Sequence, residues 1–347
     1  MRDISSLSGE FWERVFGPGV VALEPRRIGE GMIGANYRVS LVASAAAVDV
    51  PSSVVVKLPS PGEQSRAAGI AHRTYEREAK FYMQLADTVD VRRPRCHWVE
   101  FDDATHDFVL VLEDLAPAEP GNQLTGCNVE QAALAVVELA ALHGPRWGDP
   151  ALDGIDWLQR RTTRADADML GMAVQHLHAP FLATYDKYLS TDQRSLVTAF
   201  VPKVADWIEG RDGALTLGHG DYRLDNLLFA TPAGGPPVAV VDWQTPNQGP
   251  AAVDVAYFLS AAVAPDVRRS IESGLIDDYL AALRRYDVTC DASDFRRQYA
   301  HAAFAGLVMA IVASQVVTST DRGEAMFAAM AVGAAQQALD HDALDLL

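Results

Sequence analysis

The sequence predicts an α+β fold in two lobes, and three observations carry that reading. At 347 residues the chain exceeds what one hydrophobic core usually organises. From about residue 20 to residue 114, short β-branched runs are broken by Gly, Pro and Ser, the pattern of antiparallel strands joined by turns. From "NVEQAALAVVELAALHG" onward the apolar period is helical, with one interruption. The expected division is residues 1–114, a small antiparallel sheet with one main helix, and residues 115–347, a larger and mostly helical lobe.

The elements follow in order. "LSGEFWERVFG" reads as a short amphipathic helix capped by Ser8 and stopped at Gly17. "VVALEPRRIGEGMIGANYRVSLVAS" and "SSVVVKLPS" supply strands. Residues 65–89 are helical in period, with Ile70, Tyr75, Phe81, Tyr82 and Leu85 on one stripe. "RCHWVEFDD" and "DFVLVLEDLAP" are two further strands around an acidic turn, and "EDLAPAEPG" reads as a hinge. The interruption in the helical part is "NLLFATPAGGPPVAVVDW" (226–243), two apolar runs flanking a Gly/Pro turn, hence a hairpin.

Composition narrows the partners. A net charge of −17 argues against a nucleic acid, whose phosphates call for clustered Lys and Arg. Cys96, Cys127 and Cys290 are far apart without a CxxC, which suits a reducing compartment better than a disulfide framework or a zinc site. No apolar stretch follows the N-terminus as a secretory signal would, so a cytoplasmic location is expected. The most apolar window, residues 299–317, is rich in Ala and carries His301 and Gln315; it reads as a buried core helix without membrane insertion.

Chemistry concentrates in "LGHGDYRLDNLLF" (217–229), on the loop that enters the hairpin. His219, Asp221 and Asn226 are spaced H-x-D-x-x-x-x-N, and Asp242 follows at the end of the apolar run "VAVVDW". That arrangement is the phosphoryl-transfer pattern of protein kinases. The types are apt: a nucleoside triphosphate brings several negative charges, and Mg2+ prefers hard oxygens, which Asn226 and Asp242 supply. Asp221 is the carboxylate able to take the proton of an acceptor hydroxyl. Upstream, Lys57 in "VVVKLP" can contact phosphates and Glu78 in "YEREAKFY" can steer it, with Glu76 the alternative partner.

"GEGMIG" holds a G-x-G-x-x-G at Gly29, Gly31 and Gly34. A dinucleotide fold would need a helix to open at the last glycine. "ANYRVSLV" alternates like a strand instead, so Gly31 and Gly34 are assigned to a strand-turn-strand over phosphates. The bland alternative is a turn without ligand contact.

Taken together, "REAKFY", "LEDL", "HGDYRLDN", "VVDW" and "DVAYFL" come in the order and approximate spacing of a known group. The chain resembles the aminoglycoside phosphotransferase, choline kinase and ecdysteroid-kinase-like family, small-molecule relatives of protein kinases, over nearly its whole length. The resemblance implies a bilobal protein-kinase-like fold with ATP, or GTP as the alternative, between the lobes and the base near Glu113 to Leu115. It implies that Asp254 tethers the catalytic loop, and that Arg223 occupies the position of a lysine that touches the γ-phosphate in many protein kinases. Gln244 departs from the Gly of protein kinases.

The expected activity is therefore an ATP- and Mg2+-dependent phosphotransferase acting on a hydroxylated small molecule. Two other readings stand beside it. A catalytically silent nucleotide-binding module would be expected to have lost Lys57, Asp221 or a metal ligand, and none is lost. A metallohydrolase built on His219, Asp221, Asp225 and Asp242 would need an imidazole-rich shell, but the other histidines lack paired spacing. His219 and His143 read as structural. Residues 171–189 and 301–327 are largely apolar with few acids, so an apolar alcohol is expected as acceptor rather than a polycation.

Overall fold

The structure is a computed structural model that describes residues 3–29, 33–44, 49–160, 163–316 and 320–347. The chain forms two compact units, Met1–Thr88 with Arg93–Pro117 and Val241–Thr245, and Val89–Arg92 with Ala118–Val240 and Pro246–Leu347. Where the sequence suggests a boundary at 114/115, the first unit runs on to Pro117 and takes back five residues from beyond the hairpin.

The first unit holds α1 (Gly9–Phe16), β1 (Val20–Ala22), β2 (Arg26–Ile28), β3 (Gly34–Ala43), β4 (Ser53–Pro59), α2 (Glu63–Ala71), α3 (Thr74–Lys80), β5 (Cys96–Phe101) and β6 (Phe108–Glu113). Ser8 caps α1 through the Phe11 amide, and Gly17 ends it at φ 93°. The sheet runs β1-β3-β4-β6-β5 with β2 also on β3, all antiparallel. Alternation sorts its two faces. Val54, Val56, Val109 and Val111 join Leu7 and, from α1, Phe11 and Trp12 in one core. The opposite face carries Lys57, which pairs with Leu110 across β6, and Phe108, whose ring stacks on Tyr75 of α3 at 5.0 Å.

One expectation is corrected. Residues 65–89 do not form a single helix: α2 stops at Ala71, Arg73 turns left-handed at φ 54°, α3 restarts at Thr74, and the last turns relax into π-helix (Phe81–Leu85) and 3-10 helix (Ala86–Thr88). The break lets Tyr75 lie on Gly69, where an added Cβ would come within 2.5 Å of the ring. The Tyr75 hydroxyl then donates to the Ile33 carbonyl. Helical period survives such a break because both pieces still bury one face.

The second unit holds β7 (Glu119–Pro120), α4 (Val129–His143), β8 (Gln159–Arg160), α5 (Arg164–Tyr185), α6 (Thr191–Phe200), α7 (Val204–Glu209), β9 (Leu215–Gly218), β10 (Leu227–Thr231), β11 (Gly234–Val240), β12 (Asn247–Pro250), α8 (Ala252–Ala262), α9 (Pro265–Leu283), α10 (Ala292–His301), α11 (Ala305–Val316) and α12 (Asp321–Asp340). β10 and β11 form the expected hairpin, in register from Leu227↔Val240, and β7 adds a third strand. β9 pairs with β12, so the segment entering the 219–226 loop is anchored in a second small sheet.

The apolar stretch Ala292–Val316 is long and apolar enough to cross a membrane, and half of it is buried within the protein. A 3-10 turn at Ala302–Phe304 interrupts it. Its Phe304 stacks on Phe200 at 3.8 Å, and Leu307, Ala310 and Ile311 are buried, as a core helix requires. α8 is held closest of all: a Cβ at Gly333 of α12 would lie 2.1 Å from the Ser260 carbonyl oxygen. Only glycine permits that approach.

Val241–Thr245 belong to the first unit because Trp243, fully buried, stacks on Phe81 with ring centroids 4.0 Å apart and planes 6° from parallel. Phe81→Ala is expected to cost about 3–5 kcal/mol in urea unfolding followed by tryptophan fluorescence. A loss under about 1 kcal/mol would show that the stack does not anchor this segment.

Candidate active site

Two charge clusters carry the predicted residues, one in each unit. In the first, Lys57 Nζ lies 2.7 Å from Glu78 Oε1 and 2.7 Å from Asp242 Oδ1. Strand β4 aims the lysine at α3, and Glu78 meets it from the middle of that helix. Burial alone lowers the lysine's pKa, yet the charges of Asp242 and Glu78 outweigh it and the net shift is upward. Burial pushes Glu78 up to about 7 against the pull of Lys57. The cluster is an ammonium held between two carboxylates.

Glu76 is the residue that does not take part. It faces away, bound by Arg73 and Lys80 at 2.7 Å each, and their hydrogen bonds hold its carboxyl down to about 2. Two residues apart on a helix, Glu76 and Glu78 cannot share a face, so the structure resolves the choice that the sequence leaves open. Gln244 adds a smaller pull downward on the Glu78 carboxyl. Asp242 sits at φ 67° with its side chain 36% exposed, the most accessible of the three.

Gly34 opens β3 where an added Cβ would come within 3.3 Å of Lys57 Cε, so its bareness makes room for the lysine stem. β2 and β3 are antiparallel neighbours, the strand-turn-strand that the glycines suggest, and no helix starts at Gly34. Gly31 lies outside the described residues. Glu113 ends β6 with its carboxylate accepting the Arg95 amide at 3.0 Å, and Leu115 is buried two residues on.

The second cluster is the loop between β9 and β10. Its frame is Asp254 of α8, buried, which accepts the backbone N–H of His219 at 2.7 Å and of Gly220 at 3.1 Å. His143, at the end of α4, approaches the same carboxylate through Nε2 at 3.3 Å while Tyr279 holds its Nδ1 at 2.8 Å. Because an ionised Asp254 only accepts, Nε2 donates and Nδ1 receives the tyrosine proton. Burial works to raise the Asp254 pKa, but His143 and the His219 amide overcome it and the net shift is downward.

Within that frame Asp221 is surrounded by donors. Tyr257 Oη donates to Oδ1 at 2.6 Å. Asn226 Nδ2 donates to Oδ2 at 2.9 Å. Arg223 Nε spans both oxygens at 3.2 and 3.1 Å. Arg223 also reaches Asp225 at 2.5 Å and Met326 Sδ at 3.1 Å. Burial opposes the charge of Arg223, but Asp221 and Asp225 outweigh it, and the guanidinium stays charged. His219 Nδ1 accepts the Asp221 amide at 3.2 Å. The imidazole therefore serves the loop's shape, and no three His, Cys, Asp or Glu side chains among the described residues converge on a metal position.

The two residues expected to hold magnesium, one in each unit, are both hard-oxygen donors. Asn226 spends its amide nitrogen on the Asp221 carbonyl and carboxylate, both at 2.9 Å, which leaves the amide oxygen for a cation, and Asp242 offers an accessible carboxylate. Three residues escaped the sequence reading. Gln123, buried, braces the loop by accepting the Leu224 amide at 3.1 Å and donating to the Ala261 carbonyl at 2.8 Å. Arg322 pairs with Asp225 at 3.1 Å. Tyr257 had a legible signal: it stands three residues after Asp254 on one helical face.

The depressed Asp254 has a pH consequence. A carboxylate whose pKa falls on folding contributes stability above its ordinary value of 3.8, and that stability is lost as the pH falls through and below it. Asp254→Asn is expected to be less stable than the parent at pH 7, with the gap closing toward about pH 3. A gap in unfolding free energy that stays constant with pH would contradict this.

The phosphotransferase enzyme family matches residues 24–289 of the chain. No curated protein matches. Several solved structures share the fold. A candidate aminoglycoside phosphotransferase from Ralstonia eutropha is 18% identical, covers 98% of both chains and has a TM-score of 0.55. The GDP complex of aminoglycoside 2'-phosphotransferase-IIIa is 13% identical over 94% of this chain and 99% of its own, with a TM-score of 0.58. An ethanolamine kinase from Plasmodium vivax is 14% identical over 90% of this chain and 81% of its own, with a TM-score of 0.50. The antiparallel sheet with its lysine, the tethered loop and the mostly helical second unit thus follow the protein-kinase-like plan, and the chain belongs to the phosphotransferase enzyme family.

Proposed function

We propose that the protein is an ATP- and magnesium-dependent kinase that phosphorylates a hydroxyl of a small molecule. The observation that carries the reading is the Asp221 carboxylate, oriented by surrounding donors on a loop whose backbone is fixed by a buried aspartate. In the reaction the acceptor oxygen attacks the γ-phosphorus, the bond from that phosphorus to the bridging oxygen of ADP breaks, and Asp221 takes the hydroxyl proton. Lys57, steadied by Glu78, binds the phosphates, and Arg223 offers charge to the transferred group. Asn226 and Asp242 are the residues assigned to hold magnesium, which supplies charge neutralisation at the phosphates.

The test is ADP release with Mg-ATP and a panel of alcohols. Asp221→Asn is expected to lower kcat by ~10²–10⁴ with nucleotide affinity retained. Asp242→Asn is expected to weaken Mg-ATP binding itself, and Lys57→Ala to lower kcat/KM for ATP. Full turnover by the Asp221 variant would remove it as the base. A parent protein that binds ATP and consumes none with any acceptor would be a silent nucleotide-binding module.

For the acceptor, the pairing of charge favours an apolar alcohol over a polycation. Asp221 and Asp225 are already matched by Arg223 and Arg322, and Glu324 by Lys187 and Tyr188. Cationic amines would have to displace these partners. Much of the apolar character of residues 171–189 and 301–327 is used in packing, since Val174, Phe181, Phe304, Leu307 and Ile311 are buried; Met172, exposed, is not. Apolar alcohols are expected to show the higher kcat/KM when compared side by side with kanamycin-type compounds. Efficient kanamycin turnover would overturn the assignment.

A further inference from the structure

Helix α8 carries two residues that act on one loop. Asp254 holds its backbone, and one turn later Tyr257 reaches the Asp221 side chain with its hydroxyl at 2.6 Å. The helix is not free to drift: Gly306 would press a Cβ to 3.0 Å from Ser260 Oγ and 3.7 Å from the Tyr257 ring, and Gly333 meets the Ser260 carbonyl closer still. The ring is 6% exposed. A buried phenol on a clamped helix has one place to put its proton, and that place is Asp221 Oδ1.

From this geometry we infer that Tyr257 is a positioning residue for the transfer, one that fixes the rotamer of the Asp221 carboxylate so that its remaining lone pairs face the acceptor. This rests on Asp221 being the base. Burial first, and then the negative charge of Asp221, push the phenol well above its ordinary pKa, so the hydroxyl keeps its proton and serves as donor. The other donors cannot replace it. Arg223 is shared with Asp225, and Asn226 grips the opposite oxygen, Oδ2. Without Tyr257, Oδ1 keeps only the long, shared contact from Arg223 at 3.2 Å, and a carboxylate held mainly at one oxygen can swing about its χ2.

The test compares Tyr257→Phe with Tyr299→Phe. Tyr299 is a buried phenol of α10 whose hydroxyl donates to a different carboxylate, Glu272 Oε2, at 2.9 Å. With Mg-ATP and water as the acceptor, Tyr257→Phe is expected to lower kcat about tenfold or more while KM for Mg-ATP stays within about twofold, and Tyr299→Phe to leave kcat near the parent. In urea unfolding, Tyr257→Phe and Asp221→Asn are expected to be coupled by about tenfold in the equilibrium constant. An unchanged kcat, an equal loss in both phenylalanine variants, or additive unfolding effects would each overturn the inference. Coupling in a parent that turns over ATP neither with water nor with any alcohol would leave the pair standing and count against the kinase reading instead.

Discussion

The structure depends most on the buried carboxylate of Asp254 and the two backbone N–H groups that it receives from His219 and Gly220. A loop cannot bury amide groups without partners, and a buried carboxylate cannot stay ionised without donors. Each satisfies the other here. His143 and Tyr279 complete the shell from α4 and α9, so three helices agree on where the loop begins. Once His219 and Gly220 are fixed, the following residues have little freedom: Tyr222 is tied to Ala135 and Leu224 to Gln123. The polar side chains between them are then presented as a set.

The same rule of paired charge governs the first unit. Lys57 is buried, and it is tolerable there because carboxylates flank it at hydrogen-bond distance. Removing either partner would leave a desolvated charge, so the cluster is more costly to break than it is valuable to form. Phe81 and Trp243 pack beside it and keep Asp242 in its left-handed conformation at the end of a stacked segment.

Local signals in the sequence were strong and the structure follows them. Ser8 and Gly17 bracket α1, the "TPAGG" turn joins β10 to β11, and the alternation of "VVVKLP" sets Lys57 on the face opposite Val54 and Val56. What failed was what depends on contacts distant in sequence. The stripe from Ile70 to Leu85 hides a break because Gly69 and Tyr75 must meet, which no periodicity reports. The sequence favours Glu78 and keeps Glu76 as an alternative, and only the structure shows Arg73 and Lys80 claiming the latter. In the catalytic loop the acids and Asn226 were legible from their spacing, whereas Gln123 and Arg322, which brace it, are about a hundred residues away in either direction. The long separation between Phe81 and Trp243 likewise conceals why Val241–Thr245 join the first unit.

The proposal to be tested is that the protein moves a phosphoryl group from ATP onto an alcohol. Phosphorus NMR of the protein with Mg-ATP and a mixture of hydroxylated small molecules reads that event directly. The account predicts a new phosphomonoester resonance that grows in step with ADP and requires magnesium. ATP left intact, or inorganic phosphate as the sole product alongside ADP, would contradict it.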